Sequence, residues 1–466
     1  MINSRNFTPT PHQQSALNNL LQFIESGSGI FILKGHAGTG KTTLVNALTE
    51  YMIERDIPFE LMASTGRAAK VLTHKTGLTT TTVHQGIYKL HLTEDNEDEQ
   101  ARKLFFVLRE NVASERAIYI IDESSMLSNS QPASGFISFG AGKLIDDILK
   151  FAENRKVIFV GDPSQLPPFN SVFSAALSEE YLKKHYDKPV ASANLTEIIR
   201  YRSDTGIYFN TLTLREKIEQ KSFPLLSVKA SGFDDVFVSP HEHIFVGSYV
   251  ESILSKGLDN SIMVCFSNAR SNDLNAKVRL ALFGQRRSET LNIDELLMVV
   301  YNNYRYNLFN GDLLQVEGYS MITEYRAGLH FRDVNVYVDD YLGRRIVQVK
   351  IIDNLLTSSA INLSYQQDFE LYRDFAIRMS NLGIRPKDPE YLDLMMTDPY
   401  LNALRVKYGY AVTCHKAQGG EWEDVFVLFE PCFFEYLEKE SQYRWAYTAI
   451  SRAEKRIHLL ENRCIY

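Results

Sequence analysis

The sequence predicts an α/β protein with two blocks of parallel sheet, and three observations predict it. An apolar run at 30–33, a glycine loop and a helical pattern at 43–51 follow one another directly. Two further short, β-branched runs stand downstream, at 117–121 and 156–160, each closed by acidic or turn-forming residues. Strand–helix texture then returns at 262–283 and again at 410–428, on either side of a stretch of shorter alternating runs. Strands alternating with helices imply a parallel sheet, whose ligands collect at the carboxyl ends of its strands.

The first element is a helix. Thr10 is placed to cap it, Pro11 suits its first turn, and Leu17, Leu20, Leu21 and Ile24 give its apolar face. Gln13, near its start, carries an amide that could read the donor and acceptor edges of adenine, or could be a plain surface residue. Next comes FILKGHAGTGKTT, residues 31–43. Its Gly35-x-x-x-x-Gly40-Lys41-Thr42 is the phosphate-loop pattern, in the strand–loop–helix context that the pattern requires. Gly35, Gly38 and Gly40 lack a Cβ, so the loop through Ala37 and Thr39 can turn its N–H groups onto a polyphosphate. The helix carrying Thr43 begins where the phosphates would sit. Lys41 reaches the β- and γ-phosphates, and the Thr42 hydroxyl suits Mg²⁺. The chain is therefore expected to bind a nucleoside triphosphate.

Residues 59–63 read as the next strand, and 65–70 as a loop entering a helix. Thr65, Arg67 and Lys70 could hold a phosphate backbone there; a capped, exposed helix explains them equally well. Two strand-like runs, 87–92 and 103–108, flank the acidic stretch 94–100 and predict a β-hairpin standing off the main sheet. Its acidic tip suits a wedge better than a grip on phosphates. The strand at 117–121 ends in Asp122-Glu123. Downstream of a phosphate loop, Asp122 would hold Mg²⁺ and Glu123 would orient and deprotonate the attacking water; the plain alternative is a strand-end turn. Residues 130–142 read as a Gly/Ser-rich surface loop. After 156–160 comes GDPSQLP, where Gln165 could sense the γ-phosphate or sit in an ordinary proline-bounded turn. Parallel order places Lys41, Asp122 and Gln165 on one edge of the sheet. LTEIIR, 195–200, ends the first block. The short runs 313–316, 334–338 and 345–351 suggest a small β-rich insert followed by helices, before 410–428 closes the second block.

Composition narrows the setting. The 466 residues allow two to four domains, and 44% hydrophobic with 23% charged content is ordinary for a globular chain. A net charge of −7 supplies no global pull toward nucleic acid, although a local basic groove is compatible with it. No apolar run approaches a membrane-spanning length, and the N-terminus lacks the cationic flank and apolar centre of a secretory signal. Cys265, Cys414, Cys432 and Cys464 are scattered without paired spacing, which argues against a zinc site or disulfide framework. A reducing, cytoplasmic setting without membrane contact is expected.

Two late segments narrow the class. TCHKAQGGEWEDV (413–425) and AYTAISRAEKR (446–456) resemble motifs V and VI of superfamily 1 helicases. The whole chain resembles the RecD-like and phage Dda-like enzymes, the class that moves 5′ to 3′. The resemblance implies two RecA-like phosphate-loop domains with parallel sheets, 1–85 with 118–200 and 201–312 with 409–466. It implies a pin at 86–117 and a small Src-homology-3-like β-barrel within 313–408. It also assigns roles. Gln13 would read adenine, with Gly420 and Glu421 completing the nucleotide contacts. Lys41, Asp122, Glu123 and Gln165 would do the hydrolytic chemistry, while Arg200 and Arg452 reach the γ-phosphate as arginine fingers. Thr65, Arg67, His84, Thr413, His415 and Lys416 would contact single-stranded DNA. The implied activity is an ATP- and Mg²⁺-dependent DNA helicase. It would act as a monomer on single strands and forked duplex, in repair, recombination or replication. An ATP-driven clamp or translocase without unwinding, and an RNA helicase of the same superfamily, are the alternatives. Ser64 stands where the family usually has proline, and 353–408 is longer and more helical than the minimal barrel.

Overall fold

The computed structural model describes residues 8–91, 104–130, 137–169, 171–340 and 343–466. The first block is a six-stranded, all-parallel sheet in the order Thr81–Thr82, Phe59–Ala63, Ile118–Asp122, Lys156–Gly161, Ile30–Gly35, Val190–Leu195. Every residue of Ile118–Asp122 is buried, as expected of a strand covered on both faces. The two-residue period sorts the cover. Phe31 and Leu33 pack with Leu44 and Leu48 of helix Lys41–Glu54 and with Leu17 and Leu20 of helix Pro11–Glu25. Ile30 and Ile32 pack on the opposite face with Ile145, Ile148 and Leu149 of helix Leu144–Ala152.

The second block is a five-stranded, all-parallel sheet in the order Val236–Ser239, Ala453–Leu460, Trp422–Val427, Ser261–Cys265, Ala411–Thr413. Both blocks thus have the RecA-like parallel-sheet core. The edge strand Val236–Ser239 has no counterpart in the sequence reading, because it leaves Phe237 and Val238 exposed and shows no clean alternation.

The inserts depart from expectation in three ways. Tyr88–His91 and Leu104–Leu108 do pair antiparallel, while the acidic stretch 94–100 lies outside the described residues. The first of these strands begins only at Tyr88, because a Thr82–Gln85 capping box starts a short helix, Val83–Ile87. Residues 130–142 are not simply loop: Ile137–Phe139 pairs parallel to Leu104–Leu108, and Phe139 stacks on Phe106 at 4.7 Å. That aromatic burial was concealed by the Gly/Ser residues around it.

In the second block the antiparallel sheet runs Gly343–Ile352, Leu329–Asp340, Leu313–Arg326, Leu296–Val299, Val406–Tyr408. It draws in Leu296–Val299, well before the expected insert boundary at 313. Leu404 accepts from the Ile352 N–H and donates to the Lys350 carbonyl, so the two outer strands meet and the sheet closes on itself. Helices Tyr365–Asn381 and Pro389–Thr397 follow, with Leu90 of the first insert packed against their core. Among the described residues, no helix is long and apolar enough to cross a membrane.

Candidate active site

The phosphate loop leaves the sheet after Ile30–Gly35. Gly38 and Gly40 have φ of 76° and 82°, backbone that an L side chain rarely adopts. The helix behind it starts at Gly40 with no side-chain cap, so its first N–H groups are free for an anion. Lys41 Nζ donates to the Gly35 and His36 carbonyls at 2.8 and 3.0 Å, holding its charge inside the loop. Thr42 is half-buried beside it and Thr43 is exposed. Gln13 is 2% exposed and lies over the loop, its Nε2 donating to the Thr39 carbonyl at 3.1 Å. Its Oε1 accepts the Thr10 N–H, closing a capping box. Each of these two atoms keeps one further site, an N–H and a lone pair, beyond these bonds.

The carboxylates stand at the end of the neighbouring strand. Asp122 Oδ1 accepts the Glu123 N–H at 2.8 Å, and Glu123 itself has a left-handed φ of 50°. Burial pushes both carboxyls above their ordinary values. For Asp122 it outweighs the Glu123 N–H and Lys41, and for Glu123 the Asp122 charge adds to it. Glu123 Oε2 is buried without a hydrogen-bond partner. A buried acceptor left open beside a glycine cradle, a lysine and a half-buried threonine fits an Mg²⁺-bound triphosphate and its water.

One strand further, Asp162 caps its own turn by accepting the Ser164 N–H at 2.9 Å. Burial pushes its carboxyl up, but His36, Lys41 and the Tyr447 hydroxyl together hold it well below the usual range. Gln165 is fully buried, with its Oε1 unpartnered.

The second block forms the opposite wall. Arg452 is 3% exposed and donates to the Thr448 and Gly420 carbonyls and to Ser451 Oγ, all neutral acceptors. Its charge lowers the carboxyls of Glu123 and Glu421. Arg200 departs from the expected free finger: it is ion-paired with Glu421, which Lys75 also approaches at 3.4 Å. Burial alone would raise the Glu421 carboxyl, yet Arg200, Lys75 and Arg452 bring it down to about 2. Glu421 thus faces the cleft as a paired anion.

Sequence reasoning missed the residues that join the walls. The Tyr447 hydroxyl accepts the Ala37 N–H at 2.9 Å and donates to Asp162 at 2.7 Å. Thr448 Oγ1 accepts the Leu166 N–H at 2.9 Å, and Arg444 donates to the Pro163 carbonyl at 2.5 Å. Residues 444, 447 and 448 share one face of helix Lys439–Ile450, and that polar spacing within AYTAISR and its approach was the available signal.

The expected nucleic-acid residues divide. Thr65 caps helix Gly66–Thr76 through the Ala68 N–H, at 3.2 Å. Arg67 is corrected: its guanidinium lies 4.2 Å over the Trp422 ring, and burial lowers it to about 10. It is packed between the blocks because Gly420 leaves room for it. His84 lies edge-on to Phe139 at 5.0 Å, and burial lowers it to about 4. Thr413 is buried and opens the turn that holds His415 and Lys416. His415 meets Phe169 edge-on at 6.1 Å and is held below its ordinary value by burial, against a hydrogen bond to Pro167. Burial, with Lys407 nearby, lowers Lys416 to about 8. Lys407 and Lys416 line one small pocket with Asn268, Ser271 and Asn272 at the start of helix Asn268–Arg287.

The fold and cleft define a two-block phosphate-loop architecture in which one chain supplies both walls. Residues 8–226 match a family model described as an AAA domain, and residues 408–460 match one described as a UvrD-like helicase C-terminal domain. An uncharacterized protein of Methanocaldococcus jannaschii is 22% identical over 482 residues, covering 96% of this chain and 37% of that protein. One of Acanthamoeba polyphaga mimivirus is 22% identical over 508 residues, covering 96% and 98%. The ATP-dependent DNA helicase Pif1 of a Psychrobacter species is 36% identical over 161 residues, 32% of this chain and 21% of that protein. The chain therefore spans about a third of the archaeal relative and a fifth of the Psychrobacter helicase. A solved structure concerning DNA unwinding at forked duplex by two coordinating Pif1 helicases covers 97% of this chain and 92% of that one, with 17% identity and a TM-score of 0.50, a likeness of fold. Parts of this chain are thus similar to proteins named as Pif1 and RecD2 DNA helicases.

Proposed function

We propose that the protein is an ATP-dependent DNA helicase that moves 5′ to 3′ along one strand and separates duplex ahead of it. The observation that carries this reading is the two-walled cleft. Lys41, Asp122 and Glu123 face it from the phosphate-loop block, and Arg452, buried on neutral acceptors, faces Glu123 from the other. A guanidinium kept free of carboxylate pairing is available to charge developing on a transferred phosphoryl group. Because it belongs to the opposite block, it ties hydrolysis to cleft closure. Thr42 and Asp122 are the residues that would hold Mg²⁺, which when bound supplies charge neutralisation across the β- and γ-oxygens. Glu123 takes the proton of the attacking water, and its raised affinity for protons suits it to that task. Lys41 places the phosphates, and Gln165, inside the clamped turn after Lys156–Gly161, reports the γ-phosphate to the second block. Lys416 and Lys407, at a helix start, suit a backbone phosphate, and Thr65, His84, Thr413 and His415 are assigned to the same strand by the family resemblance. One chain furnishes both walls, so a monomer suffices.

The test is unwinding of two partial duplexes, one with a 5′ tail and one with a 3′ tail, with ATP and Mg²⁺. Opening only of the 5′-tailed substrate is expected. Opening of the 3′-tailed one overturns the direction. Hydrolysis on single strands with neither duplex opened makes the protein a clamp or bare translocase.

A further inference from the structure

We propose that Tyr447 is a positioning residue whose single hydroxyl ties the phosphate loop and the Gln165 turn to the second block, so that strand engagement reaches the hydrolytic site through it. The proposal rests on the motor reading above and deepens it.

The geometry is specific. Ala37 is the third residue of the phosphate loop, yet its N–H points to the Tyr447 hydroxyl of the other block, at 2.9 Å. The same hydroxyl spends its own proton on Asp162, at 2.7 Å, the residue that opens the turn carrying Gln165. Tyr447 is fully buried, so neither bond competes with water. Asp162 is in turn tied back to the phosphate loop, with His36 Nδ1 at 3.5 Å. His36 Nε2 meets Glu219 of the second block at 2.9 Å. The rest of the turn is gripped by the same helix and its neighbour. Arg444 donates to the Pro163 and Gln165 carbonyls, Thr448 accepts the Leu166 N–H, and Gln418 donates to the Leu166 carbonyl at 3.1 Å. Every polar backbone group named here in 163–166 is thus paired with the second block, in which Gln418 stands two residues from Lys416.

The consequence follows from where the bonds run. Arg444 and Thr448 bind only the turn, and they can move it as a unit. Of these three helix residues Tyr447 alone also binds the phosphate loop, so its hydroxyl joins the loop, the turn and the second block at a single point, beside the His36 contacts to Asp162, Ser164 and Glu219. Removing its hydroxyl leaves the ring, its packing and the other clamps in place. It leaves only the longer His36 contacts between the loop and the turn.

The experiment compares wild type with Tyr447→Phe, Asp162→Asn and the double variant, with thermal melting for folding. ATP turnover is measured with and without a poly-dT oligonucleotide. Tyr447→Phe is expected to lower the ratio of strand-stimulated to unstimulated kcat about tenfold, the size of one charge-assisted hydrogen bond. The double variant should be no worse than the weaker single, because both cut one link. A folded Tyr447→Phe whose stimulated kcat is unchanged overturns the proposal, and so do single losses that multiply. Equal loss of basal and stimulated turnover also overturns it. Wild type is itself followed by hydrogen exchange, which covers the case of a variant that fails to fold. Poly-dT should change protection of residues 31–43 and 439–450 together, and change in one without the other sinks the link. A wild type that hydrolyses ATP with no response to poly-dT overturns the motor reading and the link together, whereas a normal response in wild type and variant overturns the link alone.

Discussion

The two parallel sheets are built alike and use glycine for opposite purposes. In the first block, Gly38 and Gly40 take left-handed φ so that the backbone can wrap an anion. In the second, Gly419 and Gly420 follow the short helix Cys414–Ala417 and lie against residues of the first block. A Cβ on Gly419 would come within 3.3 Å of Ala68, and one on Gly420 would strike Arg67 and Trp422. The first pair makes room for a ligand and the second makes room for the other domain. The charges follow the same division. The first block carries the lysine and the carboxylates at strand ends, while the second contributes a buried arginine and a tyrosine from a helix and the turn after it. A parallel sheet provides a place for a site, and the loops that leave it decide which half of a reaction each copy holds.

Substitutions can break or sharpen that comparison, starting with the largest effect. Lys41→Ala removes the phosphate-loop cation, and ATP hydrolysis should fall by more than about 1000-fold while single-strand affinity stays within a few-fold. Equal loss of both in filter binding and turnover assays would mean that the two faces are not separate. Arg452→Ala tests the other wall. Turnover should fall by about 100- to 1000-fold with ATP binding retained, because the arginine acts on developing charge. Unchanged kcat would make the second block a passive cover.

Glu123→Gln comes next, with turnover down about 100-fold. It also carries a pH signature. Burial and Asp122 raise the Glu123 carboxyl, so the folded protein holds this proton more tightly than the unfolded chain does. Below the ordinary carboxylate range both states are protonated and nothing is lost. As pH rises through the raised folded value, the charge destabilises the fold in full. Glu123→Gln should therefore raise Tm by about 2 °C at neutral pH, with the gain vanishing in acid, as read by calorimetry. Wild-type hydrolysis should rise with pH across the same window. The smallest effect is expected for Arg67→Ala, which removes a cation–π contact between the blocks. Single-strand affinity should change less than about twofold and Tm should fall by about 1 °C. A tenfold loss of affinity by fluorescence anisotropy would return Arg67 to the strand path.

Much of the first wall was legible because its residues are neighbours in the chain. The phosphate loop is one continuous stretch, and Asp122-Glu123 closes one buried strand, so local spacing suffices. The third strand beside the first insert's hairpin was not legible. Ile137–Phe139 sits among serines and glycines, and only pairing with Leu104–Leu108 gives it a partner. Leu296–Val299 joins the antiparallel sheet only through Leu313–Arg326 and Val406–Tyr408. Arg67 carried a charge at a plausible helix start, but a Trp422 face more than three hundred residues away claimed it.

The sequence by itself determined the phosphate loop of the first block and the carboxylate pair that closes its neighbouring strand. Both depend on backbone conformation and on groups a few residues apart, which spacing encodes. Only the tertiary structure decided how the second block meets it: Arg200 spent on Glu421, Arg452 left to neutral acceptors, and Tyr447 bridging Ala37 and Asp162. Those pairings join residues from far apart in the chain. Burial, which removes water as a competing partner, fixes which donor finds which acceptor, and no local pattern records that choice.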